Sequence, residues 1–336
     1  MCPPPFDYSL PRELIAQEPA PEREQARLMV VRRRGQPGIS HHRVSELPDL
    51  LGAGDLLVAN DSAVVPARIR GRRETGGRVE LLVIPNGPGP TECLLRSSKG
   101  VRAGERLSLS GGMSVVVDSA ANGRCHLALG GKELLELLAK HGEVPLPPYI
   151  DRPPVRSDRD RYQTVYAKRA GSVAAPTAGL HLTHDLIARL DAAGIGFSTL
   201  TLAVGPGTFT PLRPGQTSME AERCEVTPAL ADVVNRQHAA GGRLVAVGTT
   251  SVRTLETAVG PDGTLTAFAG HTDLFIRPGH RFSAVDALLT NFHLPGTTLL
   301  GLVAALAGTE LTEAAYREAV DERYRFYSYG DAMLVL

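Results

Sequence analysis

Cysteine is scarce in this chain and follows no pattern. The four cysteines, Cys2, Cys93, Cys125 and Cys224, are scattered without the close paired spacing of metal ligands. That distribution argues against a zinc site and against a disulfide framework, and it fits a reducing compartment. We therefore expect a cytoplasmic protein that contains neither.

The chain also has no excess of charge of either sign. Its 36 Lys and Arg side chains balance 36 Asp and Glu side chains, and the formal net charge is zero. This balance gives no support for non-specific binding to nucleic acid or to membranes. A tRNA or DNA partner would need a local basic face. The segments richest in arginine and lysine are 32–34, 68–78 and 152–169. Such charged segments are more often ordinary solvated surface than binding sites.

Long apolar runs and a signal-peptide pattern are missing as well. The longest apolar stretch, Thr298–Ala307, is too short to span a bilayer, and we expect it to form a core helix. The N-terminal sequence MCPPPFDYSLP has no basic segment followed by an apolar one. The sequence thus predicts a soluble cytoplasmic protein with no membrane partner.

The middle of the chain has the composition of an all-β module. From about Arg68 to Leu129, short runs of strand-forming residues alternate with glycine-rich turns such as Asn86–Pro90. The runs are Arg78–Ile84, Glu92–Ser97, Glu105–Ser110, Met113–Ser119 and Arg124–Gly130. Short strands at this spacing predict a small antiparallel barrel, and a sandwich is the alternative that the pattern leaves open.

A helix and a proline-rich segment follow this module. The run Lys132–His141 predicts a helix with Leu134, Leu135 and Leu138 on one face. The stretch Pro145–Pro154 marks the exit from the module.

The sequence after the prolines alternates between helix and strand patterns. The expected elements are helix Thr183–Ala193, strand Gly196–Val204, helix Pro228–Ala240, strand Leu244–Val247 and helix Ser251–Val259. Such alternation implies a largely parallel sheet covered by helices, which the apolar run Asp55–Ala59 could join. We therefore predict an α/β fold: a discontinuous three-layer domain from 1–67 and 153–336, with a small antiparallel β-barrel inserted at 68–152.

One segment, GRLVAVGTTSVRTLE, predicts a ligand-binding turn. The buried strand Leu244–Val247 is broken by Gly248, and Thr249, Thr250 and Ser251 can then cap a helix. The first N–H groups of a helix lack internal partners, and the helix dipole attracts a carboxylate or phosphate there. Arg253 would strengthen such a site. An ordinary capped strand-to-helix turn fits the same residues, and the spacing excludes a P-loop.

Four further segments place polar residues next to glycine or proline. They are Asn60–Ser62 after the strand Asp55–Ala59, APTAGLH ending at His181, VGPGTF from Val204, and NFHLPGTT with His293. Turns at the ends of several strands can line one cleft. Each histidine alone is more often structural, and each glycine can simply mark a tight turn.

Several familiar site patterns are absent from the sequence. There is no close-spaced set of metal ligands, no G-x-S-x-G nucleophile turn and no G-x-G-x-x-G dinucleotide motif. The residues by themselves thus predict an α/β enzyme that binds a ligand and needs no metal.

Taken in order, the same segments closely resemble the S-adenosylmethionine:tRNA ribosyltransferase-isomerases of queuosine biosynthesis. The resemblance covers nearly the full length. It is carried by Phe6–Gln17, Gly54–Ile69, Gly142–Ile150, Arg161–His181, VGPGTF, VAVGTTSVRTLE, Thr272–Gly279, Leu289–Leu300 and Tyr324–Met333.

The resemblance implies an α/β domain with an inserted barrel, and an unusual reaction. S-adenosylmethionine, as substrate and not as cofactor, gives its ribosyl part to an aminomethyl-deazaguanine base at the tRNA wobble position. The product is epoxyqueuosine-tRNA, and adenine and methionine are released. The implied partners are therefore tRNA carrying that base and S-adenosylmethionine, with a monomeric protein and no metal.

The reaction needs a base to remove a proton from C5′, an acid to assist the departure of adenine, and a neutral amine as nucleophile. Three residues are candidates for catalysis: His181, His293 and Glu222. The candidates for substrate binding are Asn60, Asp61, Arg68, Thr177, Thr249, Thr250, Ser251, Arg253, Tyr327, Tyr329 and Asp331. Among these, Tyr327 and Tyr329 would face the sulfonium, and the methionine carboxylate would be held by Thr249, Thr250, Ser251 and Arg253.

The chain departs from the family pattern at several positions. Ala63 stands where Arg follows N-D-T, Ala203 where His precedes V-G-x-G-T-F, Glu220 where M-H-S-E has His, and Arg277 where Tyr is common. These changes are either tolerated variation in the tRNA enzyme, which we favour, or signs of divergence. A diverged paralogue would use S-adenosylmethionine with a non-tRNA acceptor, and a non-catalytic binding protein would have lost turnover.

Overall fold

The computed structural model describes residues 8–85, 91–129, 131–209 and 218–336; for 131, 132, 208 and 209 it describes the backbone alone. Cys2, the turn Asn86–Pro90 and the first two residues of Phe6–Gln17 lie outside the described residues. Within them, no single helix is long and apolar enough to cross a membrane. Two consecutive helices, Thr298–Ala307 and Thr309–Asp321, would be long and apolar enough only if they were joined, and they are bent by 118° relative to each other.

The strands are β1 Arg27–Arg32, β2 Gly38–Arg43, β3 Leu56–Asn60, β4 Ser62–Val64, β5 Arg68–Arg73, β6 Arg78–Val83, β7 Thr91–Ser97, β8 Arg106–Leu109, β9 Ser114–Ala121, β10 Arg124–Leu127, β11 Arg169–Ser172, β12 Gly196–Leu202, β13 Glu222–Val226, β14 Leu244–Val247, β15 Phe268–Thr272, β16 Ala287–Asn291 and β17 Ala332–Val335. The α-helices are α1 Leu47–Leu50, α2 Gly131–His141, α3 Asp158–Arg161, α4 His184–Ala192, α5 Pro228–Ala239, α6 Thr249–Ala258, α7 Thr298–Ala307 and α8 Thr309–Asp321. Short 3-10 turns connect several of them, including Thr177–His181.

A nine-stranded sheet forms the larger part of the molecule, in the order β15-β13-β12-β3-β14-β16-β17-β1-β2. The expectation of a largely parallel sheet was wrong, because only half of the pairings are parallel. The strands β12, β3, β14 and β16 form the parallel centre. β13 and β15 at one edge pair antiparallel, and so do β1 and β2 at the other. The link between β1 and β2 is short, and a short link permits only an antiparallel pair.

Helices cover both faces of this sheet. Alternate side chains of β3 point to opposite sides: Leu56 and Val58 join the core under α5 to α8, and Leu57 and Ala59 join the core under α1 and α4. The strand predicted at Asp55–Ala59 thus lies in the middle of the sheet. The predicted three-layer α/β arrangement is confirmed.

Six antiparallel strands close into a barrel, in the order β10-β7-β6-β5-β8-β9. Inward positions of β6, such as Val79, Leu81 and Val83, alternate with outward ones around a separate apolar core. The predicted barrel is therefore confirmed, and the alternative of a sandwich is wrong. The backbones of Arg68 and Glu143 bond to each other where the chain enters and leaves this part. The exact domain boundaries, 67/68 and 152/153, stay a prediction.

The helix after the barrel buries a different face from the one expected. Leu134, Leu137 and Leu138 pack on the barrel core, whereas Leu135 is 45% exposed. Leu137 and Leu138, three and four positions after Leu134, lie on either side of it on one helix face, whereas Leu135 lies about 100° around the helix from Leu134 and is turned to solvent.

Candidate active site

Three of the polar segments meet at one edge of the sheet. β3, β14 and β16 are parallel neighbours, so their carboxyl ends lie side by side. Asn60 ends β3, Gly248 follows β14 and Asn291 ends β16. Open α/β sheets bind ligands at this edge. The fold thus brings together segments that are far apart in the sequence.

Asn60 and Asp61 are tied to neighbouring elements at this edge. Oδ1 of Asn60 accepts from the N–H of Leu202 at 3.0 Å, and its Nδ2 donates to the carbonyl of the same residue at 2.9 Å. The same Nδ2 lies 3.4 Å from Oγ1 of Thr250. Asp61 accepts from the hydroxyl of Thr201 at 2.7 Å. Both side chains therefore fix the wall formed by β12 and the start of α6.

Helix α6 begins two residues earlier than expected. Its N-cap is Gly248, with φ of 88°, and the hydroxyls of Thr249, Thr250 and Ser251 lie inside the helix. The predicted capping by these hydroxyls was wrong, because glycine adopts the cap backbone without steric cost and Ser251 donates to the carbonyl of Val247 at 2.8 Å instead. The first N–H groups of α6 still lie at the carboxyl edge of the sheet.

Arg253 is engaged within the protein. Its guanidinium forms a close ion pair with Oε2 of Glu222, and both side chains are buried, at 3% and 6% exposure. Nε and Nη2 donate to the carbonyls of Leu274 and Thr272, at 3.0 and 3.2 Å. Oε1 of Glu222 accepts from the N–H of Gly205 at 2.9 Å. Arg253 therefore orients Glu222 under the VGPGTF turn.

His181 is buried beside Asn291. Nδ2 of Asn291 lies 3.1 Å from Nε2 of His181 and also donates to the carbonyls of Tyr327 and Asp331, at 3.1 and 3.4 Å. These carbonyls fix the orientation of the amide, so Nε2 is the acceptor and the ring proton is on Nδ1. Burial, with a further contribution from Arg23, lowers the pKa of His181 to about 4. The imidazole is therefore neutral at pH 7.

His293 lies just beyond the end of β16. Its Nε2 is 2.9 Å from the hydroxyl of Thr290, and its backbone N–H donates to the hydroxyl of Tyr316 at 3.1 Å. Burial lowers the pKa of His293 to about 3. This side chain, too, is neutral at pH 7.

The segment before β17 carries the predicted tyrosines. Tyr327 has a positive φ of 73°, and its ring centroid lies 3.8 Å from that of Tyr149. Tyr329 donates to Oδ1 of Asp158 at 2.8 Å; burial first, and this hydrogen bond second, raise the pKa of the Tyr329 hydroxyl. Both rings thus join the segment before β17 to the linker that follows the barrel.

The remaining predicted residues have structural partners. The carboxylate of Asp331 accepts from two backbone N–H groups at 3.0 and 2.8 Å, and burial raises its pKa. Arg68 donates to the carbonyl of Leu146 at 2.9 Å at the entry to the barrel. Thr177 begins the 3-10 turn that ends at His181. Arg68 therefore lies apart from the strand ends, whereas the 3-10 turn that Thr177 begins packs against β16.

A cavity of about 340 Å³ lies between the barrel and the sheet. Its volume is in the range of small-molecule sites. The barrel contributes Ile84, Pro85, Glu92 and Arg124, and the opposite wall comes from Ser62, β11 to β13 and the VGPGTF turn. Of the three predicted catalytic residues, Glu222 lines this cavity, whereas His181 and His293 lie outside its lining.

Two departures from the family pattern, Ala203 and Glu220, line the same cavity. Oε1 of Glu220 accepts from Nη2 of Arg124 at 2.7 Å, which joins the barrel to the α/β part. Arg124 also pairs closely with Glu92, and these two hydrogen bonds raise the pKa of the guanidinium. Ala63 lies in β4 and is not among the residues that line the cavity in the described part of the chain.

Sequence reasoning missed Asn291 and Arg124 as individual residues. Asn291 belongs to the quoted segment NFHLPGTT at a strand end, and its amide at that position was the available signal. Arg124 had no signal, because its partner Glu220 is 96 residues away. Across the described residues, no group of three or more His, Cys, Asp or Glu side chains could hold a metal ion.

Gly179, in the turn that carries His181, provides a test of this packing. A Cβ at this position would overlap Oη of Tyr166 and lie 3.0 Å from Cγ2 of Thr164. Gly179→Ala is therefore expected to lower the free energy of unfolding by about 1–3 kcal/mol. Oη of Tyr166 is buried and has no hydrogen-bond partner among the described residues, so Tyr166→Phe alone should be nearly neutral.

Urea unfolding of both single variants and the double variant checks this expectation. Tyr166→Phe should restore part of the stability lost in Gly179→Ala, because it removes the overlapping atom. A double variant no more stable than Gly179→Ala would contradict the contact.

Comparison with known proteins identifies the family. The profile described as "Queuosine biosynthesis protein" matches residues 4–335. The chain belongs to this family. It is 49% identical over 338 residues to an S-adenosylmethionine:tRNA ribosyltransferase-isomerase of Geobacter sulfurreducens, covering 98% of each chain. It is 51% identical over 339 residues to one from Anaeromyxobacter sp., covering 98% of this chain and 97% of the relative.

A solved structure agrees with this membership of the queuosine biosynthesis family. The crystal structure of S-adenosylmethionine tRNA ribosyltransferase from Thermotoga maritima is 39% identical, with a TM-score of 0.58. The match covers 98% of this chain and 99% of that one. The family resemblance drawn from the sequence segments is therefore confirmed.

Proposed function

We propose that this protein transfers the ribosyl part of S-adenosylmethionine to the aminomethyl-deazaguanine base at the tRNA wobble position and isomerises it. The products are epoxyqueuosine-tRNA, adenine and methionine. The observation that carries the proposal is the unbroken similarity, near 50% identity over 98% of the chain, to relatives bearing the ribosyltransferase-isomerase name. The cavity between barrel and sheet, in the size range of small-molecule sites, supports it.

Glu222 is the proposed base at the reacting carbon. It lines the cavity, and its two oxygens are held by Arg253 and by the N–H of Gly205, so its position is defined before substrate arrives. The sulfonium of S-adenosylmethionine acidifies the neighbouring C5′ proton, which brings it within reach of a carboxylate base. The nucleophile is the amine of the aminomethyl-deazaguanine base. It must lose its extra proton before it attacks the ribosyl part, and adenine and methionine are the groups that leave.

The strand-end cluster is proposed to bind the rest of the substrate. The N–H groups at the start of α6, with Thr249, Thr250 and Ser251, suit the methionine carboxylate. His181 and His293, both neutral at pH 7, are the proposed groups for assisting adenine. Asn60, Asp61, Thr177, Tyr327, Tyr329 and Asp331 shape this region, and Arg68 holds the barrel entrance. S-adenosylmethionine is the substrate, and the proposal requires no metal or cofactor.

The protein is proposed to act as a monomer in the cytoplasm without a membrane partner. A tRNA substrate places the reaction where tRNA is found. The balanced net charge of the whole chain leaves local basic surface as the means of holding that tRNA.

Adenine release from S-adenosylmethionine, with and without tRNA carrying the aminomethyl-deazaguanine base, tests the proposed function. We expect release only with that tRNA, together with transfer of the ribosyl part to the base. Release with a free base or another small acceptor, and none with the tRNA, would instead establish a different acceptor. Binding of S-adenosylmethionine without release under any of these conditions would show a non-catalytic protein.

A further inference from the structure

We propose that the outward face of strands β5, β6 and β7 of the barrel binds the phosphate backbone of RNA. The inference rests on the proposed function in one respect, since it assigns a surface to the proposed tRNA partner. Outward positions on these three strands carry five arginines, Arg68, Arg70, Arg72, Arg78 and Arg96, against two glutamates. The chain as a whole is neutral, so this is a local concentration of positive charge.

Strand register arranges the arginines in rows across the barrel. Arg72 lies directly opposite Arg78, and in the next row Glu80 lies between Arg70 and Arg96. Like charges directly opposite each other destabilise a strand pair. The Arg72–Arg78 pair therefore has no explanation in barrel stability. A polyanion on this face would relieve the repulsion.

The central arginines of this face have no acidic partner among the described residues. Arg72, Arg78 and Arg96 are exposed and form no ion pair there, and Arg72 makes a long hydrogen bond, at 3.5 Å, to the carbonyl of Gly76. Arg70 is partly neutralised by Glu143, at 3.0 Å, and more weakly by Glu80. A guanidinium fork matches phosphate oxygens and remains charged at every physiological pH.

The third row leads to the cavity. Arg68 pairs with Leu82, Leu82 with Leu94, and Leu94 with Arg124, which lines the cavity wall. Along β6, Arg78 is six residues from Ile84, another lining residue, a distance of roughly 20 Å at the rise of a strand. A base held in the cavity would therefore have the nucleic-acid backbone running along the arginine rows.

The same features favour RNA over a membrane surface. Protein bound to anionic lipid usually inserts apolar side chains beside its basic ones. Among the described residues, the large hydrophobic side chains that are exposed are Leu135 and Val155, and neither is on β5, β6 or β7. The arginine face thus offers charge without an apolar anchor.

The test uses the full chain, a fluorescently labelled unmodified tRNA transcript and a salt titration. The variant R72Q/R78Q/R96Q removes three exposed guanidiniums. The matched control, R236Q/R281Q/R317Q, removes three exposed arginines that form no ion pair with the described residues; they lie on α5, on the segment between β15 and β16, and on α8, respectively. We expect the barrel variant to bind tRNA at least ~30-fold more weakly at 0.1 M salt, and its log–log salt slope to be smaller by about 2–3. The control should stay within ~3-fold of the parent, and the melting temperatures should not fall.

Several outcomes would overturn the proposal: a barrel variant that binds like the parent, a control equally weakened, or a parent with no salt-dependent tRNA binding. Loss of binding to vesicles of phosphatidylserine with tRNA binding unchanged would assign the face to membranes instead. Adenine release by the parent is measured separately. A parent that binds tRNA through this face but releases no adenine would refute the proposed function and leave the surface assignment standing.

Discussion

Replacing Arg253 with Met is expected to lower the free energy of unfolding by about 3–5 kcal/mol, because it strands a buried carboxylate. Glu222 is 6% exposed and loses its ion pair in this variant, keeping only the N–H of Gly205 as a described partner. Two carbonyls, of Leu274 and Thr272, also lose their donor. Desolvation of the remaining charge dominates, since the interior cannot replace the hydration that an exposed carboxylate would recover.

Urea unfolding followed by far-UV circular dichroism measures this loss, since the chain has no tryptophan to report by fluorescence. The double variant E222Q/R253M should recover much of the stability, because a neutral amide costs far less to bury than a carboxylate. The exposed pair Arg106–Glu74 gives a matched control, in which Arg106→Met should have little effect. If Arg253→Met unfolded at the parent's urea concentration, Glu222 would not be a buried anion.

Replacing Glu222 with Gln tests the proposed role of this residue as the base. E222Q alone keeps an acceptor oxygen for Gly205 but cannot remove a proton, and because it leaves the buried Arg253 without a carboxylate it should also lower the free energy of unfolding. If Glu222 is the base, E222Q should lose adenine release while remaining folded and binding S-adenosylmethionine. The ion pair is thus both a stability feature and the device that positions the carboxylate in the cavity.

Local patterns in the sequence predicted much of this fold because the relevant periodicities are short. Alternation along Arg78–Ile84 reports a strand with one buried face, and Val79, Leu81 and Val83 do point into the barrel. The continuous apolar run at Asp55–Ala59 predicts a strand buried on both faces, and β3 lies inside the sheet between β12 and β14. The partner of each strand, and therefore the direction of each pairing, could not be predicted from local patterns. β1 pairs with β17, about 300 residues later, and no local signal encodes that partner.

The site was predictable to the level of segments but not of contacts. Strand ends with Asn60, Gly248 and Asn291 come together because parallel neighbours share a carboxyl edge. Whether a side chain faces a ligand or another side chain depends on partners remote in sequence. Arg253, expected at the helix start, reaches Glu222 instead. Similarly, Cys93 and Cys125 have no paired spacing in the sequence, yet they are register partners within the barrel, with free thiols.

His181→Ala is expected to reduce adenine release at least ~100-fold if the imidazole carries a proton in the reaction. His184, three residues later and exposed at the start of α4, is the matched control, and His184→Ala should leave the rate near that of the parent. Because burial lowers the pKa of His181 to about 4, the free enzyme holds it neutral above pH 5. Assisting the departure of adenine as an acid requires the protonated imidazole, so the contribution of His181 to kcat/KM should grow as the pH falls from 7 and level off only below about 4. An unperturbed histidine would place that plateau below about 6.5.

A second substitution separates proton transfer from positioning. His181→Gln keeps an acceptor for Nδ2 of Asn291 but cannot exchange a proton. If Gln restores the rate lost in His181→Ala, the imidazole acts by holding Asn291 and, through it, the segment that ends in Asp331. If Gln does not restore the rate and S-adenosylmethionine still binds, proton transfer is the role that remains. A near-normal rate in His181→Ala would remove this residue from the mechanism and leave Glu222 as the candidate that lines the cavity.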